Sequence, residues 1–123
     1  MTPSKVMEYY KGRYKQDAQK EFSKHWGWLV GDFMEGHRKT KKVAIKFWSY
    51  KKGKATHHSD KYQKRETEIT FVLKGSMVGK VGDKKITLKA GDYILIPPGV
   101  KNNLAMKALS NVEGFCIKAP SYG

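Results

Sequence analysis

From residue 26 onward the chain is a succession of short apolar runs cut by glycine, proline and aspartate. Glu68-Ile69-Thr70-Phe71-Val72-Leu73 reads as a strand that stops at Gly75. The chain turns through Val81-Gly82-Asp83-Lys84-Lys85 and runs back through Ile86-Thr87-Leu88 to Gly91-Asp92. A second apolar run, Tyr93-Ile94-Leu95-Ile96, ends in Pro97-Pro98-Gly99. β-Branched and aromatic runs of this length between turn residues predict antiparallel strands closing into a sandwich or barrel. Upstream, Trp26 to Met34 and Val43 to Tyr50 predict two further strands; after Asn103 come a short segment with Leu104, Met106 and Leu109 and then a last strand near Val112 to Ile117. Glycines in the Trp26 to Met34 run mark bulges or close backbone approaches.

Side chains alternate across a strand, so each run divides into two faces. Val43, Ile45 and Phe47 share one face of their strand, and Lys46, Trp48 and Tyr50 the other. Glu68, Thr70 and Val72 lie opposite Ile69, Phe71 and Leu73 in the same way. Large side chains on both sides of a sheet need cover on both sides, which predicts a packed helix outside part of the barrel and a second subunit, hence a homodimer, over the rest. The first 25 residues supply the helical part. Thr2-Pro3 suits a helix start, and Val6, Tyr10, Tyr14, Ala18 and Phe22 recur every fourth residue up to about Lys24, with Gly12 as a weak point. Lys51 to Thr67 is a polar connection, long enough to suggest a functional or mobile loop.

A chain of 123 residues supports one domain. Its formal charge of +14 comes from 25 Lys and Arg against 11 Asp and Glu, with arginine only at positions 13, 38 and 65. Lysine is a hydrated point charge suited to diffuse attraction, so the charge predicts a soluble surface with weak, non-specific affinity for nucleic acid. The single Cys116 has no internal disulfide partner. Met1 to Tyr14 lacks the features of a signal peptide and no run spans a bilayer, so a cytoplasmic location without membrane contact is expected.

Glu68, six residues, Gly75, then Gly91, five residues, Pro97, one residue, Gly99: this spacing resembles the paired signatures of the cupin superfamily, over about Gly53 to Lys107. The Gly-Trp strand before a charged turn, and the Val-x-x-Lys-aromatic strand after it, also resemble small bacterial cupins, with Trp28, Lys46 and Trp48 in the recurring positions. The resemblance implies an all-β fold, the cupin double-stranded β-helix or jelly-roll barrel, as a single domain over residues 1–123 with the helical segment of residues 1–25 packed on it.

Metal-binding relatives carry two histidines one residue apart, a glutamate four or five positions later, and a histidine three positions after the Pro-x-Gly glycine. Here the glutamate is Glu68, but the other slots hold Tyr62 and Lys64, or Lys61 and Gln63, and finally Asn102; counted forward from Gly53 they hold Ser59 and Lys61. That substitution implies no metal cofactor. His57-His58 with Glu68 is the fallback two-His, one-carboxylate set, although adjacent histidines on an extended segment point to opposite faces. The resemblance leaves three readings. The first is metal-independent binding of a small anion such as a nucleotide or sugar phosphate in the barrel mouth, where Trp48 or Tyr93 stacks and lysines meet phosphate. Its candidate ligand-binding residues are Lys46, Trp48, His57, His58, Tyr62, Glu68, Tyr93 and Asn102, with Glu68 in a salt bridge to Lys64 or Lys46. The second is an enzyme, either a sugar isomerase or epimerase drawing on His57 or His58, Asp60 and Tyr93 or Tyr62, or a metal oxygenase using His57 or His58 with Glu68. The third is a nucleic-acid-associated basic protein.

Overall fold

The computed structural model describes residues 9–20, 22–54 and 63–121. Two short helices, α1 (Tyr14–Lys20) and α2 (Phe22–His25), precede eight strands. These are β1 (Trp28–Val30), β2 (Ala44–Tyr50), β3 (Thr67–Lys74), β4 (Ser76–Val81), β5 (Lys84–Lys89), β6 (Tyr93–Ile96), β7 (Asn102–Ala108) and β8 (Val112–Ala119). They form a five-stranded sheet in the order β1-β2-β8-β3-β6 and a three-stranded sheet in the order β5-β4-β7, with every ladder antiparallel. The predicted all-β architecture with an N-terminal helical segment is therefore what the chain adopts.

The alternation read from the sequence sorts inside from outside. On β3, Glu68, Thr70 and Val72 are buried while Phe71 and Leu73 are exposed. On β6, Tyr93 and Leu95 are exposed and Ile96 is buried. Between the sheets Val72, Met77, Leu88, Ile96, Leu104 and Val112 form the apolar core. Gly91 and Gly99 carry the turns on either side of β6 at φ of +94° and +84°, conformations that disfavour a side chain. The exit loop is tied down where Gly99 N donates to Gln63 O at 2.7 Å.

Three expectations shift. The helix starts at Tyr14; residues 9–13 are not helical, and Val6 with the proposed Thr2-Pro3 start lies outside the described residues. Tyr14 then serves as a packing plug: its ring meets Phe47 at 5.2 Å and Phe115 at 5.0 Å between centroids, which covers part of the outer face of β2 and β8. The strand expected over Trp26 to Met34 contracts to Trp28–Val30. Trp26 and Gly27 adopt positive φ before it, and a turn closes after it with Met34 N donating to Gly31 O. The segment after Asn103 is a full strand, β7, where small and polar residues had masked the alternation.

Candidate functional site

Antiparallel register decides which side chains meet inside the barrel. Lys46 of β2 pairs with Cys116 of β8, which pairs with Thr70 of β3. One row along, Ala44 pairs with Lys118, and Lys118 with Glu68. In the row on the other side, Trp48 pairs with Gly114 and Gly114 with Val72. Paired residues project from the same face of a sheet. Polar and charged groups thus collect at one end of the interior, and apolar ones fill the other.

The polar end is a cavity of about 150 Å³. Its base is built from buried Glu68, Thr70, Asn102 and Cys116, with Met77 and Leu104 from the smaller sheet. Half-buried Trp28, Lys46 and Lys118 form its outer part. The Lys46 ammonium lies 5.7 Å from the centre of the Trp28 ring and the Lys118 ammonium 5.4 Å from it. Two cations held on one aromatic ring gain from its quadrupole while repelling each other, and an anion between them relieves that repulsion.

Glu68 is 3% exposed. The expected salt bridge to Lys64 or Lys46 does not form. Lys64 is exposed, and Lys118, the ladder neighbour of Glu68, carries its ammonium to Trp28 instead. Thr70 Oγ1 donates to Glu68 Oε2 at 3.4 Å, and Glu68 Oε1 is buried with no hydrogen-bond partner among the described residues. Asn102, fully buried, donates from Nδ2 to Val100 O at 3.1 Å, which locks its amide against the loop leaving β6.

Lys46, Trp48, Glu68 and Asn102 therefore border one cavity. Tyr93, given a stacking role from the sequence, faces outward and stacks on Phe71 with centroids 5.6 Å apart. It stands on the same outer face as Leu95, since side chains two apart share a side. His57, His58 and Tyr62 lie outside the described residues, as does Asp60. Trp28, Thr70, Cys116 and Lys118 join the cavity without having been chosen. Thr70 was legible as the face-mate of Glu68; Lys118 follows the same alternation from Cys116 once β8 extends to Ala119.

Among the described residues the donor set does not suit a divalent metal of the kind metal-binding cupins hold, and His57 and His58, the fallback ligands beside Glu68, lie outside those residues. Among the described residues no three His, Cys, Asp or Glu side chains come together. The carboxylate of Glu68 is accompanied by a hydroxyl, an amide and a thiol, with two ammonium groups lining the same cavity, and these repel a cation.

Tyr50 borders the cavity and stacks on Trp48 at 5.8 Å. Burial, and secondarily the neighbouring Cys116, push its phenol above the ordinary value of 10.0. The folded state therefore holds this proton more tightly than the unfolded chain. The associated stability is complete below pH 10 and is lost as pH rises through the raised folded value. Urea melts from pH 9 to 11 should show the wild type losing stability relative to Tyr50→Phe only at the alkaline end. A difference independent of pH would contradict this environment.

A larger groove of about 550 Å³ lies outside, between the helices and β2, edged by Phe22, Trp26 and Phe47. Lys15 and Glu113 at its edge pair with each other at 3.3 Å, and Lys46 is the further charged residue that lines it.

Comparison with known proteins agrees with this geometry. The model of the Cupin domain family matches residues 46–113, more than half of the chain. No curated protein matches the sequence. KdgF from a Halomonas species is similar in structure, with a TM-score of 0.59 at 16% identity over 68% of this chain and 73% of that one. An RmlC-like cupin with a double-stranded β-helix fold from Methanocaldococcus jannaschii gives a TM-score of 0.58 at 23% identity over 67% and 73%. The nucleoside dehydratase Pac13 gives 0.57 at 18% identity over 68% and 64%. At such identities these likenesses show the fold alone. Among the described residues no helix is long and apolar enough to cross a membrane. The signature spacing, the two facing sheets and the family match together make this chain a small member of the cupin superfamily.

Proposed function

We propose that this cupin binds a small anion, such as a nucleotide or sugar phosphate, through charge and without using a metal. The observation that carries the reading is the pair of ammonium groups, Lys46 and Lys118, held over Trp28 at the cavity. The ring wall orients both cations, and a phosphate or carboxylate between them gains charge-assisted hydrogen bonds. Trp48, rather than Tyr93, is the aromatic surface a ligand meets inside. The test is thermal melting of untagged, chelator-treated protein with nucleoside monophosphates and sugar phosphates beside their unphosphorylated counterparts. Stabilisation by the anions alone, unchanged by chelator, is the expected result. Equal stabilisation by the neutral compounds would overturn it.

A second reading, as an enzyme, draws on Glu68. A buried carboxyl with one oxygen unpartnered among the described residues, in a cavity whose outer part carries two cations, is an arrangement that suits removing a proton next to a carbonyl or carboxylate and steadying the resulting charge. Pac13, a nucleoside dehydratase, shows that a protein of this fold hosts chemistry. Under this reading Glu68→Gln abolishes turnover while leaving ligand binding measurable.

The outer face of β3 and β6 fits a homodimer. Phe71, Leu73, Tyr93 and Leu95 stand exposed there, an apolar patch unusual for a surface otherwise rich in lysine. Leu95→Lys places a charge in its centre and is expected to shift the protein to monomer in light scattering at micromolar concentration. An unchanged mass for wild type and variant would count against this interface. The basic surface as a whole predicts weak binding to polyanions that falls steeply with salt.

A further inference from the structure

From the cavity's volume and the state of Glu68 we infer the shape of the ligand. It is a single planar ring with an N–H donor at one end, directed at Glu68, and an acidic group at the other, held by Lys46 and Lys118. The inference rests on the anion reading above and adds to it the ring and the donor.

Size comes first. A volume of about 150 Å³ is that at which an apolar protein cavity accepts benzene, so one six-membered ring matches the interior here. The walls suit such a ring, with Trp48 on β2 facing Met77 and Leu104 from the smaller sheet. Gly114, the ladder partner of Trp48, leaves the indole room to lie against the strand.

Polarity comes second. Glu68 is an acceptor whose Oε1 is buried and unpartnered among the described residues, and it borders the cavity. A buried acceptor left unsatisfied is costly, so a ligand that brings a donor to it is strongly favoured over an isostere that does not. Lys118 is the cation placed next to Glu68 by the ladder, yet its ammonium is drawn to Trp28. The carboxylate and the cations are therefore kept apart, each able to engage a different end of one molecule. A sugar phosphate meets the cations equally well but has neither the flat ring nor the N–H.

Four probes separate these features by calorimetric titration: 4-aminobenzoate, its isostere 4-methylbenzoate, which lacks the donor, 6-amino-2-naphthoate, which has a second ring, and 4-methylaniline, which lacks the acidic group. The expected result is that 4-aminobenzoate binds about tenfold or more tighter than each of the others. In Glu68→Gln the advantage over 4-methylbenzoate should shrink severalfold, with the melting temperature of the unliganded variant reported as a check on its fold. In Lys46→Met with Lys118→Met both benzoates should weaken together, their ratio kept. If the two benzoates bind the wild type equally, the donor inference is wrong while the anion reading stands. Tighter binding of the naphthoate overturns the one-ring limit. If 4-methylaniline, a neutral relative, binds as well as 4-aminobenzoate, the anion reading itself fails, and if no probe binds, the ring-and-donor inference fails while the anion reading is decided by the phosphate compounds.

Discussion

Replacing Lys46 and Lys118 together by methionine should lower affinity for an anionic ligand by about a hundredfold or more, while affinity for its neutral counterpart changes little. A hydrogen bond to a charged group contributes about 1.5–3 kcal/mol, so two such bonds correspond to at least two decades. Methionine keeps an unbranched stem against the Trp28 ring and adds a sulfur that packs well on aromatic surfaces, so the loss reports charge rather than a collapsed wall. The single substitutions should each account for part of the effect. Their sum need not match the double, because both ammonium groups act on one anion and share one ring. Loss of affinity for charged and neutral compounds alike would mean that the lysines support the cavity's shape instead of selecting its ligand.

The second large effect concerns the wall behind Trp48. Gly114→Val should destabilise the fold by about 3 kcal/mol, the upper part of the range for overpacking a filled interior. A Cβ at this position falls on the Phe71 carbonyl of the neighbouring strand and comes within 2.6 Å of Trp48 Cζ2. Neither neighbour yields cheaply. Phe71 is fixed in the β3–β8 ladder, and Trp48 is 9% exposed among core side chains. Chemical denaturation, with tryptophan fluorescence as the probe, measures both the loss and any displacement of the indole. A valine variant as stable as the wild type would show that Gly114 does not hold this spacing.

Much of the barrel was legible because its strands obey a period of two. The alternation of Glu68, Thr70 and Val72 against Ile69, Phe71 and Leu73 put the inner and outer faces where they are found, and the Gly91 and Pro97-Pro98-Gly99 turns framed β6 as expected. β7 was harder to see, because Asn102, Asn103 and Ala105 give no apolar contrast and irregular pairing with β4 breaks the alternation. The shortening of the Trp26 to Met34 strand had a local signal in Gly27 and Gly31. An apolar run between glycines nevertheless reads as a strand unless the backbone is known to turn.

The cavity was only partly legible, for a different reason. Pattern tells which side of a strand faces inward but not how far along the barrel two residues on different strands meet. Lys118 lies 50 residues beyond Glu68 in the sequence, and only the β3–β8 register brings the two side by side. Trp28 depends likewise on the pairing of β1 with β2, which sets it opposite Lys46. Tyr93 shows the converse. Aromatic character and proximity to the signature suggested a stacking role, whereas its odd position relative to Ile94 and Ile96 already placed it on the outer face. The Glu68 salt bridge to Lys64 or Lys46 was inferred from charge alone, but the Lys46 ammonium lies over the Trp28 ring and Lys64 is exposed.

Anion binding by this chain's own cations, without a metal, is the property on which the proposed function depends. The most direct measurement is calorimetric titration of untagged, chelator-treated protein with uridine 5′-monophosphate and glucose 1-phosphate, repeated after addition of iron, manganese, nickel or zinc. Saturable binding of at least one of these anions is expected, at one site per chain, in the chelated protein, unchanged by any of the four metals and lost in the double lysine variant. Binding that appears only when a metal is restored, and that vanishes on changing His57 or His58 together with Glu68, would contradict it.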